Sequence, residues 1–177
     1  MNRYNWARGP FSGFGLFVAA AALIADQAHK YWMLYVFDIG SRIPVGERSP
    51  RVPVTSFMDL VLVWNPGISY GLFPQSSETG KLVLIVLSIT ASVALSLWLA
   101  HLVTRFTAAS VGLIIGGAIG NTIDRILYGA VADFISLHAG GFNWYVFNIA
   151  DVAIVAGVVG LIIDSLFLGH KTVVKSQ

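Results

Sequence analysis

Four long apolar stretches constrain the fold of this chain more than any other feature of its sequence. They cover residues 14–37, 82–100, 108–128 and 147–168. A helix needs about 20 residues to cross the hydrocarbon layer of a membrane, and lipid offers the backbone no hydrogen-bond partners outside the helix. Each stretch is therefore predicted to form a transmembrane helix.

The composition supports this prediction. Hydrophobic residues make up 56% of the chain and charged residues only 11%, whereas about 25% of the residues in a soluble domain are charged. A soluble protein of this size needs more polar surface, and a disordered chain has fewer apolar residues. Residues 1–177 are therefore predicted to form a single all-α membrane domain.

The same counts argue against several kinds of chemistry. The chain contains no cysteine, which excludes disulfides, zinc–thiolate sites and cysteine nucleophiles. No pair of histidines has the spacing of a metal site, so neither a metal nor a cofactor is expected. The formal net charge of +2 is too small to indicate a nucleic-acid partner.

The first stretch has a second interpretation, a cleaved signal peptide. Arg3 and Arg8 precede it, and residues 19–22 form a tract of small side chains. The apolar pattern resumes after Lys30, however, with aromatic residues that suit the outer membrane interface. An uncleaved first helix is therefore the preferred interpretation.

Four spans place both termini on one side of the membrane, and basic residues indicate which side. Those on the side of the termini lie in the shorter segments, whose charges decide the orientation. Both termini are therefore predicted to be cytoplasmic. Residues 38–80, between the first two helices, are then extracytoplasmic.

The extracytoplasmic insertion has the pattern of a small sheet. Residues 52–64 are rich in β-branched and aromatic side chains, which is typical of one or two short strands. Asn65-Pro66-Gly67 follows as a turn. We therefore expect a small β-rich cradle between helices one and two. In the second outer connection, about residues 129–145, Gly140-Gly141 predicts only a flexible turn.

Ionisable residues at membrane depth are costly, so each is a candidate for function. Asp26 and Lys30 are four residues apart on the first helix and suit an ion pair, which is either structural or supports a site. On the third helix Asn121, Asp124 and Arg125 lie on one face, where they can also anchor helix packing.

Small residues recur every four positions on the third helix, at Gly112, Gly116 and Gly120. Ala153 and Gly157 have the same spacing on the fourth helix. Because small side chains let membrane helices approach closely, the third and fourth helices are predicted to pack face to face.

Two aspartates near this helix pair form the candidate catalytic dyad. Asp133 follows the third helix, and Asp151 lies three residues after Asn148 at the start of the fourth. Either one alone is explained by a helix dipole, but helix packing brings both segments to the same outer rim. Two carboxylates at one site cannot both ionise easily, so one keeps its proton. Aspartic-protease chemistry uses this asymmetry: one carboxylate activates water and the other polarises the carbonyl.

Five short motifs occur along the chain in this order: Asp26-Gln-Ala-His-Lys30, Asn65-Pro-Gly-Ile-Ser-Tyr-Gly71, Gly116-Gly-Ala-Ile-Gly-Asn-Thr-Ile-Asp-Arg125, Val131-Ala-Asp-Phe134 and Phe147-Asn-Ile-Ala-Asp151. Together they resemble the motifs of the lipoprotein signal peptidases, the bacterial signal peptidase II family. One departure is small, since Tyr70 stands where phenylalanine is expected in the second motif.

The resemblance implies an aspartic endopeptidase of the bacterial cytoplasmic (inner) membrane. Such enzymes remove the signal peptide from diacylglyceryl-modified prolipoproteins, cutting before the lipidated cysteine, with the active site on the extracytoplasmic side. The catalytic pair of the family maps onto Asp133 and Asp151, and not onto Asp124. The other matching positions, as structural or substrate-contacting residues, are Asp26, Lys30, Asn65, Gly67, Gly120, Asn121, Asp124, Arg125 and Asn148.

The resemblance also implies particular partners. These are the lipid-modified prolipoprotein, membrane lipid and inhibitory cyclic peptides of the globomycin type. A monomer is expected, because one helix bundle can hold the whole site.

Three alternatives remain open from the residues alone. Ser69 with Lys30 or Lys81 as base indicates a serine–lysine protease. Intramembrane aspartate and arginine are also found in the proton or ion relay of a small transporter or channel subunit. Composition alone is equally typical of a lipid-binding scaffold.

Overall fold

The structure, a computed structural model, describes residues 9–42, 51–67 and 78–168. Its helices are α1 (Ser12–Tyr31), α2 (Ile39–Arg42), α3 (Glu78–Leu99), α4 (Arg105–Tyr128) and α5 (Ile149–Ile163). Its strands are β1 (Val52–Thr55), β2 (Met58–Asn65), β3 (Val131–Ala139) and β4 (Phe142–Asn143). Two π-helical segments extend α1 and α5 without a break, over Trp32–Val36 and Asp164–Leu168.

Three of the described helices are long and apolar enough to cross a membrane: α3, α4 and α5 with its π-helical extension to Phe167. Most of α4 is buried inside the protein, whereas α3 and α5 expose most of their apolar residues, as helices that face lipid do. The first helix is not among the three. It carries Asp26, Gln27, His29 and Lys30 in its last two turns.

The central helix α4 approaches α1 through its glycines. Gly112 lies against the backbone of Gly15, and Gly116 lies against the backbone of Ala19. The prediction that these glycines face the fourth helix is therefore wrong. Small residues every four positions identify a face of close approach, but the spacing does not specify which helix packs there.

The predicted packing of the third helix on the fourth is present, with other residues of α4. Gly157 of α5 lies against the carbonyl oxygen of Ser110, and Gly117 of α4 lies against that of Ala150. The two helices are therefore antiparallel, and the start of α5 lies beside Gly117 in the middle of α4.

The four strands form one antiparallel sheet in the order β1-β2-β3-β4. In the β2–β3 register Val63 pairs with Asp133, and Asn65 pairs with Val131. The strands predicted in the insertion between the first two helices are present as β1 and β2, but the sheet also includes β3 and β4, which come from the connection between α4 and α5.

Burial explains why the sequence does not predict β3. Residues 131–134 are all buried, so the strand lacks the alternation of apolar and polar residues that marks a half-exposed strand. Gly140 and Gly141 do form the turn after it, both with positive φ. Gly129, at a φ of 80°, ends α4 in the left-handed conformation and lets β3 begin two residues later.

A small apolar core supports β3 from the side of α1. Met33 of the π-helical segment and Ile39 of α2 are fully buried against Ala132 and Phe134. These two residues of β3 flank Asp133, so this core fixes the strand that presents the aspartate.

Replacement of Gly116 by alanine tests the packing of α1 on α4. The added methyl group would overlap the carbonyl oxygen of Ala19 and lie 2.9 Å from Ala22 Cβ. We expect Gly116→Ala to lower the thermal unfolding temperature in detergent, since overpacking costs about 1–3 kcal/mol. The control is Gly13→Ala, because an added Cβ there meets no atom within 4 Å. Equal unfolding temperatures for the two variants would contradict this packing.

Candidate active site

The first aspartate of the predicted pair, Asp133, lies in the middle of β3 and is 1% exposed. Two amides hold its carboxylate. Asn148 Nδ2 donates to Oδ1 at 2.6 Å, and Asn65 Nδ2, at the end of β2, donates to Oδ2 at 3.2 Å. The pairing of β2 with β3 thus brings Asn65 to the aspartate.

The second aspartate, Asp151, lies in the first turn of α5. Asn148 is the N-cap residue of this helix, and its Oδ1 accepts the backbone N–H of Asp151 at 2.9 Å. Asp151 Oδ2 accepts the backbone N–H of Asn148 at 3.4 Å, which completes a capping box. On the other side Asn121 Nδ2 of α4 donates to Asp151 Oδ1 at 2.9 Å.

Asn148 therefore contacts both aspartates with one side chain. Its amide nitrogen donates to Asp133, and its amide oxygen accepts from the backbone of Asp151. The side chain is fully buried, so a lost hydrogen bond would not be replaced by water. The two carboxylates are held at one place in the structure, on a strand and on a helix.

The surroundings of Asp133 favour its protonated form. Burial, together with the charge of Asp151, raises the pKa of the Asp133 carboxyl to about 7. Hydrogen bonds from Asn65 and Asn148 oppose the shift, because both donate to the ionised carboxylate. Near neutral pH Asp133 is therefore poised between its two forms.

A buried ion cluster lies behind the two aspartates. Lys30 Nζ is 2.9 Å from Asp26 Oδ2 and 2.8 Å from Asp124 Oδ2. All three side chains are almost fully buried. The predicted pair Asp26–Lys30 is present, and Asp124 joins it from α4, where its Oδ2 also accepts the backbone N–H of Ala132 at 3.1 Å.

The cluster is connected to the catalytic candidates through Asn121. Lys30 Nζ and Asn148 Nδ2 both donate to Asn121 Oδ1, at 3.3 and 3.2 Å. With its oxygen engaged in this way, the amide nitrogen of Asn121 is directed at Asp151. Lys30 can only donate, so it fixes the orientation of this amide.

Arg125 holds the turn after β2. Its Nη2 donates to the carbonyl oxygen of Gly67 at 2.7 Å, and its Nη1 donates to that of Asn121 at 3.2 Å. Asn65 Oδ1 accepts the backbone N–H of Gly67 at 3.0 Å within the same turn. Arg125 and Gly67 thereby keep Asn65 within reach of Asp133.

Two cavities open beside the aspartates. One, of about 270 Å³, is lined by Asp151, by α3, α4 and α5, and by Asn65 and Tyr145. The other, of about 770 Å³, is lined by Asp133 and Asn65 and by the aromatic side chains Trp64, Phe142, Trp144 and Tyr145. Asn65 and Tyr145 line both cavities. The aspartates therefore lie between two spaces, which could hold the two segments of a bound polypeptide that extend away from the aspartates.

Sequence reasoning missed Gln27 and Tyr145. Gln27 Nε2 lies 3.1 Å from Asp26 Oδ2, 3.2 Å from Asp124 Oδ1 and 3.3 Å from the carbonyl oxygen of Gly120. Its place in the motif between Asp26 and Lys30 was the available signal. In the described part of the chain no group of three or more histidine, aspartate or glutamate side chains could hold a metal ion.

Comparison with known proteins decides the family. A family model described as Signal peptidase (SPase) II matches residues 18–167. The chain belongs to this family. The match begins within α1, covers the sheet and α3 to α5, and includes every residue of the site described above.

Relatives and solved structures agree. A lipoprotein signal peptidase of Nitrobacter hamburgensis is 54% identical over 155 residues, which cover 85% of this chain and 90% of that protein. One of Rhodopseudomonas palustris is 53% identical over 156 residues, 86% of this chain and 91% of that protein. A solved bacterial membrane enzyme has a TM-score of 0.75 at 25% identity, and the match covers 97% of each chain. A second has a TM-score of 0.71 at 26% identity, covering 92% of this chain and 98% of that one.

Membership of the signal peptidase II family confirms the predicted class of activity. The chain is a membrane protein and an aspartic endopeptidase that removes signal peptides from prolipoproteins. The alternative of a transporter or channel subunit is not favoured.

Replacement of Lys30 by methionine tests the buried ion cluster. Methionine keeps the length of the side chain but leaves Asp26 and Asp124 without their shared cation. Removal of one partner of a buried ion pair lowers the free energy of unfolding by about 3–5 kcal/mol. We expect Lys30→Met to lower the yield of folded protein and its unfolding temperature.

The matched control for this test is Lys81→Met. Lys81 pairs with Glu78, whose side chain is 84% exposed, and exposed pairs contribute about 0–1 kcal/mol. An unfolding temperature of Lys30→Met equal to that of Lys81→Met would show that the cluster does not stabilise the fold.

Proposed function

We propose that Asp133 and Asp151 are the catalytic residues and that they activate one water molecule between them. The observation that carries this proposal is the contact of Asn148 with both aspartates, which fixes two acidic groups at one place. The proposed substrate is a diacylglyceryl-modified prolipoprotein, cut before its lipidated cysteine.

The two aspartates have different protonation states in this proposal. Asp133, whose pKa is raised to about 7, carries the proton, and Asp151 is ionised. Asn121 and the backbone of Asn148 both donate to the Asp151 carboxylate, which suits the ionised form. Strongly coupled carboxylates titrate as a pair, so the assignment describes the dominant form of the pair.

The reaction then proceeds in two steps. Asp151 takes a proton from the water while its oxygen attacks the scissile carbonyl carbon, and Asp133 donates its proton toward the developing oxyanion. Asp151 next gives its proton to the leaving nitrogen, and the ionised Asp133 takes a proton from one hydroxyl of the tetrahedral intermediate as the carbon–nitrogen bond breaks. The products are a free carboxyl group on the signal peptide and a free amine on the lipidated cysteine, and both aspartates regain their initial forms.

The two cavities suit a substrate that passes between the aspartates. The smaller one is bounded by three helices, and its lining includes Ile154 and Val155, which suits an apolar segment arriving from lipid. The larger one lies on the sheet beneath aromatic side chains and suits extended peptide. Acyl chains would lie against the exposed apolar surfaces of the helices, which bury apolar area without a further pocket.

We also propose that α1 is a fourth membrane span. With its π-helical extension it runs continuously from Ser12 to Val36, which at 1.5 Å per residue is roughly long enough to cross the hydrocarbon layer. It lies parallel to α4, with Gly15 beside Gly112 and Asp26 beside Gly120. Because α1 runs alongside α4, which is itself a candidate span, α1 crosses the same hydrocarbon layer.

This topology places both termini in the cytoplasm and the sheet with the aspartates on the extracytoplasmic side of the bacterial inner membrane. The enzyme acts there as a monomer, because every residue proposed for the site comes from one chain, and it is in contact with membrane lipid. Cyclic peptides of the globomycin type would bind at the aspartates and compete with the substrate.

Single cysteines test the topology, and the natural absence of cysteine makes the labelling unambiguous. We expect Ser41→Cys to react with an impermeant maleimide in spheroplasts, and Asn2→Cys and Ser176→Cys to react only after lysis. Reaction of both Asn2→Cys and Ser41→Cys in intact spheroplasts would show that α1 does not cross the membrane.

Asparagine substitutions test the catalytic pair. Acid–base catalysis contributes roughly 10²–10⁴-fold to a rate. We expect Asp133→Asn and Asp151→Asn each to lower kcat by at least this factor, because the amide can neither take nor give the proton. The measurement is cleavage of a purified lipidated prolipoprotein in the presence of a chelator.

The matched control is Asp164→Asn. Asp164 follows α5 at its far end, where it accepts a hydrogen bond from Thr107 at 3.0 Å. This variant should cleave at the wild-type rate. Near-normal processing by Asp133→Asn or Asp151→Asn would refute the assignment.

The serine–lysine alternative lacks support in the described residues. Lys30 Nζ is engaged by two carboxylates, and Lys81 Nζ lies 2.6 Å from Glu78 Oε2, so both candidate bases already have carboxylate partners. Ser69 lies outside the described residues. Loss of cleavage in Ser69→Ala would restore that alternative.

A further inference from the structure

The first turn of α5 contains a backbone N–H that its own N-cap residue does not satisfy. Asn148 accepts the N–H of Asp151, but the N–H of Ala150 points elsewhere. Ala150 is fully buried, so water is not a partner for it. A buried N–H without an acceptor costs about 1–3 kcal/mol.

The acceptor comes from another helix. Asp26 Oδ1 of α1 accepts the N–H of Ala150 at 2.9 Å, over a separation of 124 residues in the chain. Asp26 is itself fully buried, and its second oxygen accepts from Lys30 Nζ at 2.9 Å and lies 3.1 Å from Gln27 Nε2. Both oxygens are therefore held, and the carboxylate cannot rotate away from α5 without losing several contacts.

Gly120 of α4 leaves the space in which this carboxylate lies. A Cβ at position 120 would be 2.5 Å from Asp26 Oδ2 and 3.6 Å from Ala150 Cβ. Helices α1, α4 and α5 thus meet at the two carboxylate oxygens of Asp26. The absence of a side chain on α4 is what lets a carboxylate of α1 reach the backbone of α5.

We propose that Asp26 is a positioning residue of the peptidase reaction, which caps α5 in trans and so fixes the turn that carries Asp151. The inference rests on the proposed catalytic role of Asp151. Asn148 caps the same turn through the N–H of Asp151, and Asp26 caps it through the adjacent N–H. The two caps together define where the Asp151 carboxylate lies relative to Asp133.

The functional consequence follows from the geometry that the reaction needs. A displacement of about 1 Å in a catalytic group can lower the rate by about 100-fold. Loss of the cap from α1 would let the first turn of α5 shift, while the larger cavity, which α5 does not line, keeps its walls. We therefore expect loss of the cap to lower kcat with little effect on KM.

Two conservative variants separate the cap from the charge. Asp26→Asn keeps an oxygen at the position facing Ala150. The positive charge of Lys30 is then balanced by the single negative charge of Asp124. Asp26→Glu keeps the charge, but its longer side chain moves the carboxylate away from Ala150, because Gly120 leaves no further space. If Asp26 acts as a cap, Asp26→Asn should retain kcat within about 10-fold, and Asp26→Glu should lose about 100-fold at unchanged KM.

The opposite order would overturn the proposal. If Asp26→Glu cleaves faster than Asp26→Asn, the charge of Asp26 matters and the cap does not. Equal kcat for both variants and for wild type would also overturn it. Asp59→Asn is the matched control, since Asp59 is a buried acid on the sheet that pairs with Arg51 and His138 outside the site. Its kcat should remain that of wild type.

Two further measurements keep the test decisive. The first is hydrogen exchange of the Ala150 amide in the wild-type protein, which needs no variant. Slow exchange is expected, and exchange as fast as that of an unprotected amide would refute the cap. Asp151→Asn in the same cleavage assay separates the two proposals. If Asp151→Asn remains active, the proposed catalytic role of Asp151 fails. If Asp151→Asn is inactive but Asp26→Glu cleaves faster than Asp26→Asn, only the cap is refuted.

Discussion

A single buried asparagine connects the chemistry of this peptidase to its fold. Asn148 donates to Asp133 on a strand and caps the helix that carries Asp151, so the two aspartates cannot separate without exposing its amide to an apolar interior. In a site of low dielectric constant such hydrogen bonds are strong when made and costly when lost. The same burial that makes them strong raises the pKa of Asp133.

The rest of the bundle serves to place that asparagine and its partners. The glycines of α4 let α1 and α5 approach on two sides, which brings the ion cluster of Lys30 to the amide of Asn121. The sheet brings Asn65 to the Asp133 oxygen that Asn148 does not contact. A membrane protein gains little from the hydrophobic effect between helices, so close packing and buried polar contacts carry more of its stability and its specificity.

The sequence predicted the helices, the ion pair of Asp26 with Lys30 and the strands before Asn65, because these depend on neighbours along the chain. It did not predict the second partner of Lys30, since Asp124 reaches it only through helix packing. It assigned Gly112 and Gly116 to the wrong helix, and it missed β3, whose burial on both faces leaves no periodic pattern. The choice of Asp133 and Asp151 over Asp124 came from family motifs and not from spacing.

The central claim is that Asp133 holds the proton of the pair, and infrared difference spectroscopy tests it most directly. Spectra of the wild-type enzyme recorded from pH 5 to pH 9 should contain the carbonyl stretch of a buried protonated carboxyl that disappears around pH 7, as the raised pKa of Asp133 requires. This band should be absent from Asp133→Asn. A band that persists in Asp133→Asn with an unchanged midpoint, or a wild-type spectrum with no titrating carboxyl in this range, would contradict the account.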